Sequence, residues 1–123
     1  EIINMLSSNK VYEKFAITCN SEFLGFVMLS KHNNSDEYGP TADISIYIAP
    51  AHTKKGIGSR AISFIEEVAK KEGFHTLVAS ICAENEGSKT LFEKSGYSKC
   101  SHFKEVGLKF DRYLDVVDYQ KSI

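Results

Sequence analysis

Residues Ile44-Ser45-Ile46-Tyr47-Ile48-Ala49-Pro50, followed after Ala51-His52-Thr53 by Lys54-Lys55-Gly56-Ile57-Gly58-Ser59, decide how the whole chain is read. The β-branched run predicts a strand that stops at a proline. A short basic loop then meets paired glycines, and an amphipathic helix starts at once. A helix N-terminus presents unpaired backbone N–H groups and a partial positive charge. Glycine lets an anion come close to the backbone there. Two lysines beside it point to a diphosphate-bearing ligand.

Working outward, Thr41 to Ile48 alternates cleanly. Ala42, Ile44, Ile46 and Ile48 fall on one face; Asp43, Ser45 and Tyr47 fall on the other. Upstream, residues 15–19 and 23–29 read as a hairpin around Asn20-Ser21-Glu22. Residues 31–40 read as a polar loop. Residues 1–12, of mixed polarity, read as a loop or the end of a helix. Downstream, Ala61, Ile62, Ile65, Val68 and Ala69 keep helical spacing, predicting a helix over 58–72 that Gly73 ends. Residues 76–83 form a nearly continuous apolar run, expected as a strand buried on both faces. Strand, helix and buried strand make a β-α-β unit with a right-handed parallel crossover. A second helix is expected over 86–95, then strands at 97–106 and 112–119 joined by a loop at 107–111.

The bulk numbers are those of one globular domain spanning 1–123: 42% hydrophobic, 25% charged, net charge −1. That balance gives no bulk attraction to nucleic acid or to an anionic membrane. No apolar run reaches the ~20 residues of a membrane-spanning helix. Cys19, Cys82 and Cys100 are scattered, with no C-x-x-C spacing, so a reducing cytoplasm is the expected setting. His32, His52, His75 and His102 have no ligand spacing; they read as surface or loop residues, and no metal site is expected. The chain begins at Glu1 rather than methionine, which reads as a fragment or a processed product.

The order strand, basic Gly-x-Gly loop, helix, buried strand, Asn85, helix and Glu93-Lys94-Ser95-Gly96-Tyr97 resembles the GCN5-related N-acetyltransferase (GNAT) superfamily. Residues 41–48, 83–85, 91–94 and 106–115 are similar to its phosphinothricin and methionine sulfoximine acetyltransferase branch. The resemblance implies an α/β fold, a mixed twisted sheet with helices on both faces. The opening strand and helical segment of that fold look missing here. It implies acetyl-CoA as cosubstrate, lying where the third strand and the buried fourth strand diverge, with its pyrophosphate at Lys54, Lys55, Gly56, Ile57, Gly58 and Ser59. Thr53 stands where the superfamily carries arginine or glutamine. Backbone groups of Tyr47 and Ile48 would pair with the pantetheine amides, and Asn85 and Ser88 would bond the same arm; Asn85 is also a favoured helix cap.

Asp43 matches the branch's glutamate and is the candidate general base, one methylene shorter. Phe92 stands where many members carry an acidic tyrosine, and phenylalanine donates no proton. Either Tyr97 or Tyr38 serves instead, or the thiolate leaves unaided, its pKa being about 8.5. Phe92 then packs beside the thioester or in the core. Tyr38 and Thr41 are the candidate substrate-lining residues. The loop before the third strand has no arginine and carries Asp36 and Glu37, so an acceptor less anionic than phosphinothricin suits it better. The reaction implied is direct transfer of acetyl to a small primary amine, amino-acid-like, with a homodimer as the family's assembly. Two other readings of the resemblance are a protein N-terminal acetyltransferase of the ribosomal-protein type and a non-catalytic acyl-CoA-binding domain. A dinucleotide fold is a weaker alternative: Gly56-Ile57-Gly58-Ser59-Arg60-Ala61 fits G-x-G-x-x-A and Glu84 could serve the ribose, but Pro50 to Lys55 separate the glycines from the strand.

Overall fold

The computed structural model describes the backbone of residues 2–6 and all atoms of residues 13–32, 39–53 and 56–123. The strands are β1 (Ile2–Leu6), β2 (Glu13–Cys19), β3 (Glu22–Lys31), β4 (Thr41–Ile48), β5 (Thr76–Cys82), β6 (Ser98–Lys109) and β7 (Arg112–Ser122). The helices are α1 (Ile57–Lys71) and α2 (Glu86–Lys94), with a 3-10 turn at Pro50–His52. They build one seven-stranded mixed sheet in the order β1-β2-β3-β4-β5-β7-β6. Every neighbouring pair is antiparallel except β4 and β5, the parallel pair that the β-α-β reading requires.

Residues 2–6 correct the expectation of a loop or helix end over 1–12. They form an edge strand against β2, from Ile2 opposite Thr18 to Leu6 opposite Lys14. A short run such as Ile-Ile-Asn-Met-Leu has no decisive period of its own, and the free edge of β2 settles it.

Cross-strand partners share a face, and this corrects a second expectation. Phe15, Val27 and Ile46 are in register across β2, β3 and β4. Ala42 is level with Leu77, Leu77 with Lys121, and Ala79 with Tyr119. On that face Phe15 meets Phe64 of α1 edge-on, Lys121 bonds Glu66 of α1, and Tyr119 donates to Glu93 of α2. Among the described residues both helices therefore cover one face of the sheet, not two. The other face carries Lys14, Phe26, Met28, Ser30, Asp43, Ser45, Tyr47, Ser80 and Asp118, and among the described residues no helix covers it. The same register shows β5 buried on one face: Leu77, Ala79 and Ile81 are buried, while Ser80 is exposed. The expectation of burial on both faces is thereby corrected: only the face of Leu77, Ala79 and Ile81 is packed.

The core is the seam between the helices and the covered face. Ile17, Val27, Leu29, Ile62, Ile65, Leu77 and Val117 are its largest fully buried side chains. Each contributes about 1.5–3 kcal/mol by leaving water. The expected loop at 107–111 shrinks to Phe110-Asp111, both with positive φ (51° and 60°). That is the backbone of a tight type I′ hairpin turn, which lets β6 and β7 run longer than expected.

Candidate active site

β4 and β5 pair only from Thr41 opposite Thr76 to Asp43 opposite Val78. Beyond that point β4 continues to Ile48, and β5 continues to Cys82 against β7 alone. The sheet is split at its centre. A cleft of about 720 Å³ fills the split. Ile46, Tyr47 and Ile48 form one wall; Gly56, Gly58 and Ser59 at the start of α1 form the second; Asn85, Gly87, Ser88 and Leu91 of α2 form the third.

Hydrogen-bond alternation decides which backbone groups of β4 face this cleft. The Ala49 N–H donates to Leu24 O at 2.8 Å, and the His32 N–H donates to Thr41 O. In an antiparallel pair every second residue makes both bonds to its partner. Asp43, Ser45 and Tyr47 therefore turn their backbone groups toward β3, while Ile44, Ile46 and Ile48 turn theirs into the split. A Cβ built on Gly25 of β3 would lie 2.0 Å from Tyr47 O, which shows the same carbonyl aimed at β3. The backbone expected of Tyr47 and Ile48 is thus that of Ile46 and Ile48. Tyr47 offers its side chain, stacked on Phe26 with ring centroids 5.5 Å apart. Register, unreadable from one strand, was the missing signal.

The two helix starts differ. Gly56 precedes α1 with φ 76°, a left-handed conformation that glycine adopts without strain, and a Cβ there would meet nothing within 4 Å. No side chain caps α1, and its first turn has no acidic residue. Gly58 serves packing as well: a Cβ there would come 2.7 Å from Leu91 of α2, so this glycine brings the helices together. At α2 the Ser88 N–H donates to Asn85 Oδ1 at 3.1 Å, and Glu86 sits in the first turn. Arg112 grips Glu84 with two bonds, 2.7 and 3.2 Å, and holds the turn before Asn85. That pairing occupies the carboxylate that a dinucleotide reading would need for a ribose.

Of the residues expected to hold a ligand, Tyr47, Ile48, Gly56, Gly58, Ser59, Asn85 and Ser88 line the cleft. Ile57 and Phe92 do not: both side chains are buried in the core, Phe92 edge-on against Tyr97 at 5.0 Å. Lys54, Lys55 and Tyr38 lie outside the described residues. Sequence reasoning missed His52, Thr53, Thr90 and Lys94, which also line the cleft. His52 faces Glu22 at 3.4 Å. The Thr53 hydroxyl donates to Pro50 O, closing the turn that feeds α1.

Tyr97 is no proton donor for this cleft. It is buried, donates to Glu66 Oε2 at 2.9 Å, and is pushed well above the usual phenol range by burial first and by the Glu66 charge second. Asp43 and Thr41 stand on the open face at the closed end of the split. Asp43 is half-exposed and its Oδ1 lies 2.7 Å from Nδ1 of His32. His32, read from sequence as an ordinary loop histidine, is thus in contact with the candidate base.

The cleft thus combines a split parallel pair, strand backbone groups without a strand partner and a glycine-led helix start with no capping side chain among the described residues. Residues 6–97 match the acetyltransferase (GNAT) family, and the chain belongs to it. It is 31% identical over 104 residues to an L-methionine sulfoximine/L-methionine sulfone acetyltransferase of Salmonella typhimurium, covering 85% of this chain and 61% of that one. It is 30% identical, with the same coverage of each, to a phosphinothricin N-acetyltransferase of Streptomyces coelicolor. Among solved structures, a GNAT superfamily phosphinothricin acetyltransferase from Sinorhizobium meliloti in complex with acetyl-CoA superposes with a TM-score of 0.84 at 25% identity, covering 91% of this chain and 61% of that one. The chain spans about three fifths of the length of these curated relatives. Among the described residues no helix is long and apolar enough to cross a membrane.

Proposed function

We propose that this protein is an acetyl-CoA-dependent N-acetyltransferase that moves an acetyl group to the primary amine of a small, amino-acid-like substrate by direct transfer. The observation that carries this reading is the split between β4 and β5, where Ile46 and Ile48 offer backbone groups to a ligand that can pair like an added strand. Acetyl-CoA supplies an activated acyl group on a sulfur that leaves readily. The residues of the chain do the rest. The first turn of α1, beyond Gly56, receives the pyrophosphate. Asn85 and Ser88 line the path of the pantetheine arm. A backbone N–H of Ile46 or Ile48 donates to the acyl oxygen as negative charge develops on it. Asp43 takes the proton from the attacking amine, directly or through one water. Thr41 shares its face and, with Tyr38, lines the acceptor's approach. Neither Phe92 nor Tyr97 supplies a proton to the sulfur.

The open face around Asp43, with a lysine and no arginine among its described residues, supports an acceptor carrying little net negative charge. A cytoplasmic setting fits the three free thiols. A homodimer belongs to the same reading, supported by Leu108, Phe110 and Tyr113, which leave large apolar surfaces exposed on the β6–β7 hairpin.

A thermal melt with acetyl-CoA in one sample and NAD in another tests the cleft. A ligand that binds only the folded state at 100 times its Kd adds ~2.7 kcal/mol of stability. A rise with acetyl-CoA alone is the expected result, followed by thiol release when L-methionine sulfone is added. A rise with NAD alone, or with neither, overturns the reading. Binding without thiol release from any primary amine leaves an acyl-CoA-binding domain and removes Asp43 as a base.

A further inference from the structure

We propose that His32 is a positioning residue for Asp43, so that the two form one proton-handling pair at the closed end of the split; this rests on the acetyl-transfer reading above. β3 ends at Lys31, and His32 follows it at a bend. The His32 N–H donates to Thr41 O, which fixes the imidazole beside β4. Its Nδ1 then meets Asp43 Oδ1 at 2.7 Å, the short distance of a charge-assisted bond. Both side chains are partly shielded, 29% exposed for His32 and 41% for Asp43. A carboxylate on a flat strand face would otherwise rotate between orientations. With Oδ1 held, Oδ2 is the oxygen left to meet the amine. Aspartate is a short side chain, and fixing it makes good part of the reach it lacks.

Ser30 and Val78 are the cross-strand neighbours of Asp43 and carry no charge. Among the described residues, the titratable groups of this open face are Lys14 of β2, Tyr47 of β4, Cys82 of β5 and Asp118 of β7, which accepts from Ser80. Lys31 precedes His32, and His75 reaches this face through Thr76. Asp36 and Glu37 follow His32 in the stretch outside the described residues. No other cation among the described residues is paired with Asp43. The imidazole Nδ1–H holds Asp43 Oδ1 and so orients the carboxylate that takes the proton. In the reaction the amine nitrogen bonds to the acyl carbon and gives one proton to Asp43 Oδ2. The carbon–sulfur bond breaks with its electron pair on sulfur, and the thiolate collects a proton from Asp43 or from water.

The test is the steady-state kinetics of acetyl transfer to L-methionine sulfone in the wild type and in His32→Ala, His32→Asn and Asp43→Asn, with the acetyl-CoA-induced rise in Tm read on each. His32→Ala is expected to lower kcat more than tenfold while KM for acetyl-CoA and the Tm rise stay unchanged. His32→Asn, whose amide can donate in place of Nδ1–H, is expected to recover most of kcat. A His32→Ala enzyme within twofold of wild type, beside an inactive Asp43→Asn, overturns the pair and leaves Asp43 as base. A fully active Asp43→Asn overturns the base assignment itself and the pair with it. If wild type does not acetylate L-methionine sulfone, the same variants are read on the slow hydrolysis of acetyl-CoA, with the same two overturning outcomes.

Discussion

The two helices begin on the same cleft and begin in opposite ways. α2 is complete in itself: Asn85 accepts from the Ser88 N–H, and Glu86 places a negative charge in the first turn. α1 has neither a capping side chain nor an acid in its first turn, and a left-handed glycine turns the chain into it. A helix start without a cap is a cost in stability that a ligand can offset. Under the function proposed above, the contrast puts the anion at α1 and the neutral part of the ligand at α2; one feature, a helix start beside a cleft, has different chemical meanings according to what already occupies it.

The largest expected effect comes from making α1 resemble α2. Ser59→Glu puts a carboxylate in the first turn. It should stabilise the ligand-free protein by about 0.3–1 kcal/mol through the helix dipole while weakening acetyl-CoA more than tenfold. Opposite signs in apo Tm and in the ligand-induced rise are the measurement; a variant that still binds normally breaks the contrast. Gly56→Ala comes next. Since a Cβ at Gly56 has open space around it, the cost is conformational, about 1–2 kcal/mol for a side chain held at positive φ, read by urea unfolding. Asn85→Ala should cost about 1 kcal/mol of stability, with a smaller loss of acetyl-CoA affinity than Ser59→Glu produces. A larger loss at Asn85 would move the anion to α2.

The smallest effect concerns the far ends of the helices, where Tyr97, directly after α2, donates to Glu66 of α1. Burial, and then Glu66, raise the phenol's pKa above its unfolded value of about 10. A raised folded value means that this contribution is complete below pH ~10 and is lost as pH rises further. Tyr97→Phe should cost about 1 kcal/mol at neutral pH and flatten the alkaline fall in the urea midpoint above pH ~10.

Much of this was legible in the sequence because it is written locally. The alternation of Thr41–Ile48, the stripe Ala61-Ile62-Ile65-Ala69 and the glycine before α1 each state their own conformation, and the structure follows them. What was not legible depends on partners. Residues 2–6 become a strand only because β2 offers an edge. The two helices share a face because of how Phe15, Tyr119 and Lys121 register across five strands, which no window of sequence contains. The backbone groups facing the split are those of Ile46 and Ile48 rather than Tyr47, because the alternation of side chains is visible in sequence and the alternation of hydrogen bonds is not. Of the two places open to Phe92 the structure takes the core, and Ile57 keeps only its backbone for the start of α1; an apolar residue beside a site and one in the core read alike. His32 acquires meaning only from Asp43, eleven positions away in the chain and bonded to it in the fold.

The open edge of β4 has a consequence outside catalysis. Unpaired peptide groups along a strand normally invite another chain to add on, and proteins protect the rims of their sheets against this. Here the unpaired edge lies in mid-sheet, between β4 and β5, fenced by the starts of α1 and α2. A neighbouring protein's strand would have to lie along the starts of both helices to pair there. The fold thereby keeps peptide groups permanently available for recognition without offering a seed for aggregation.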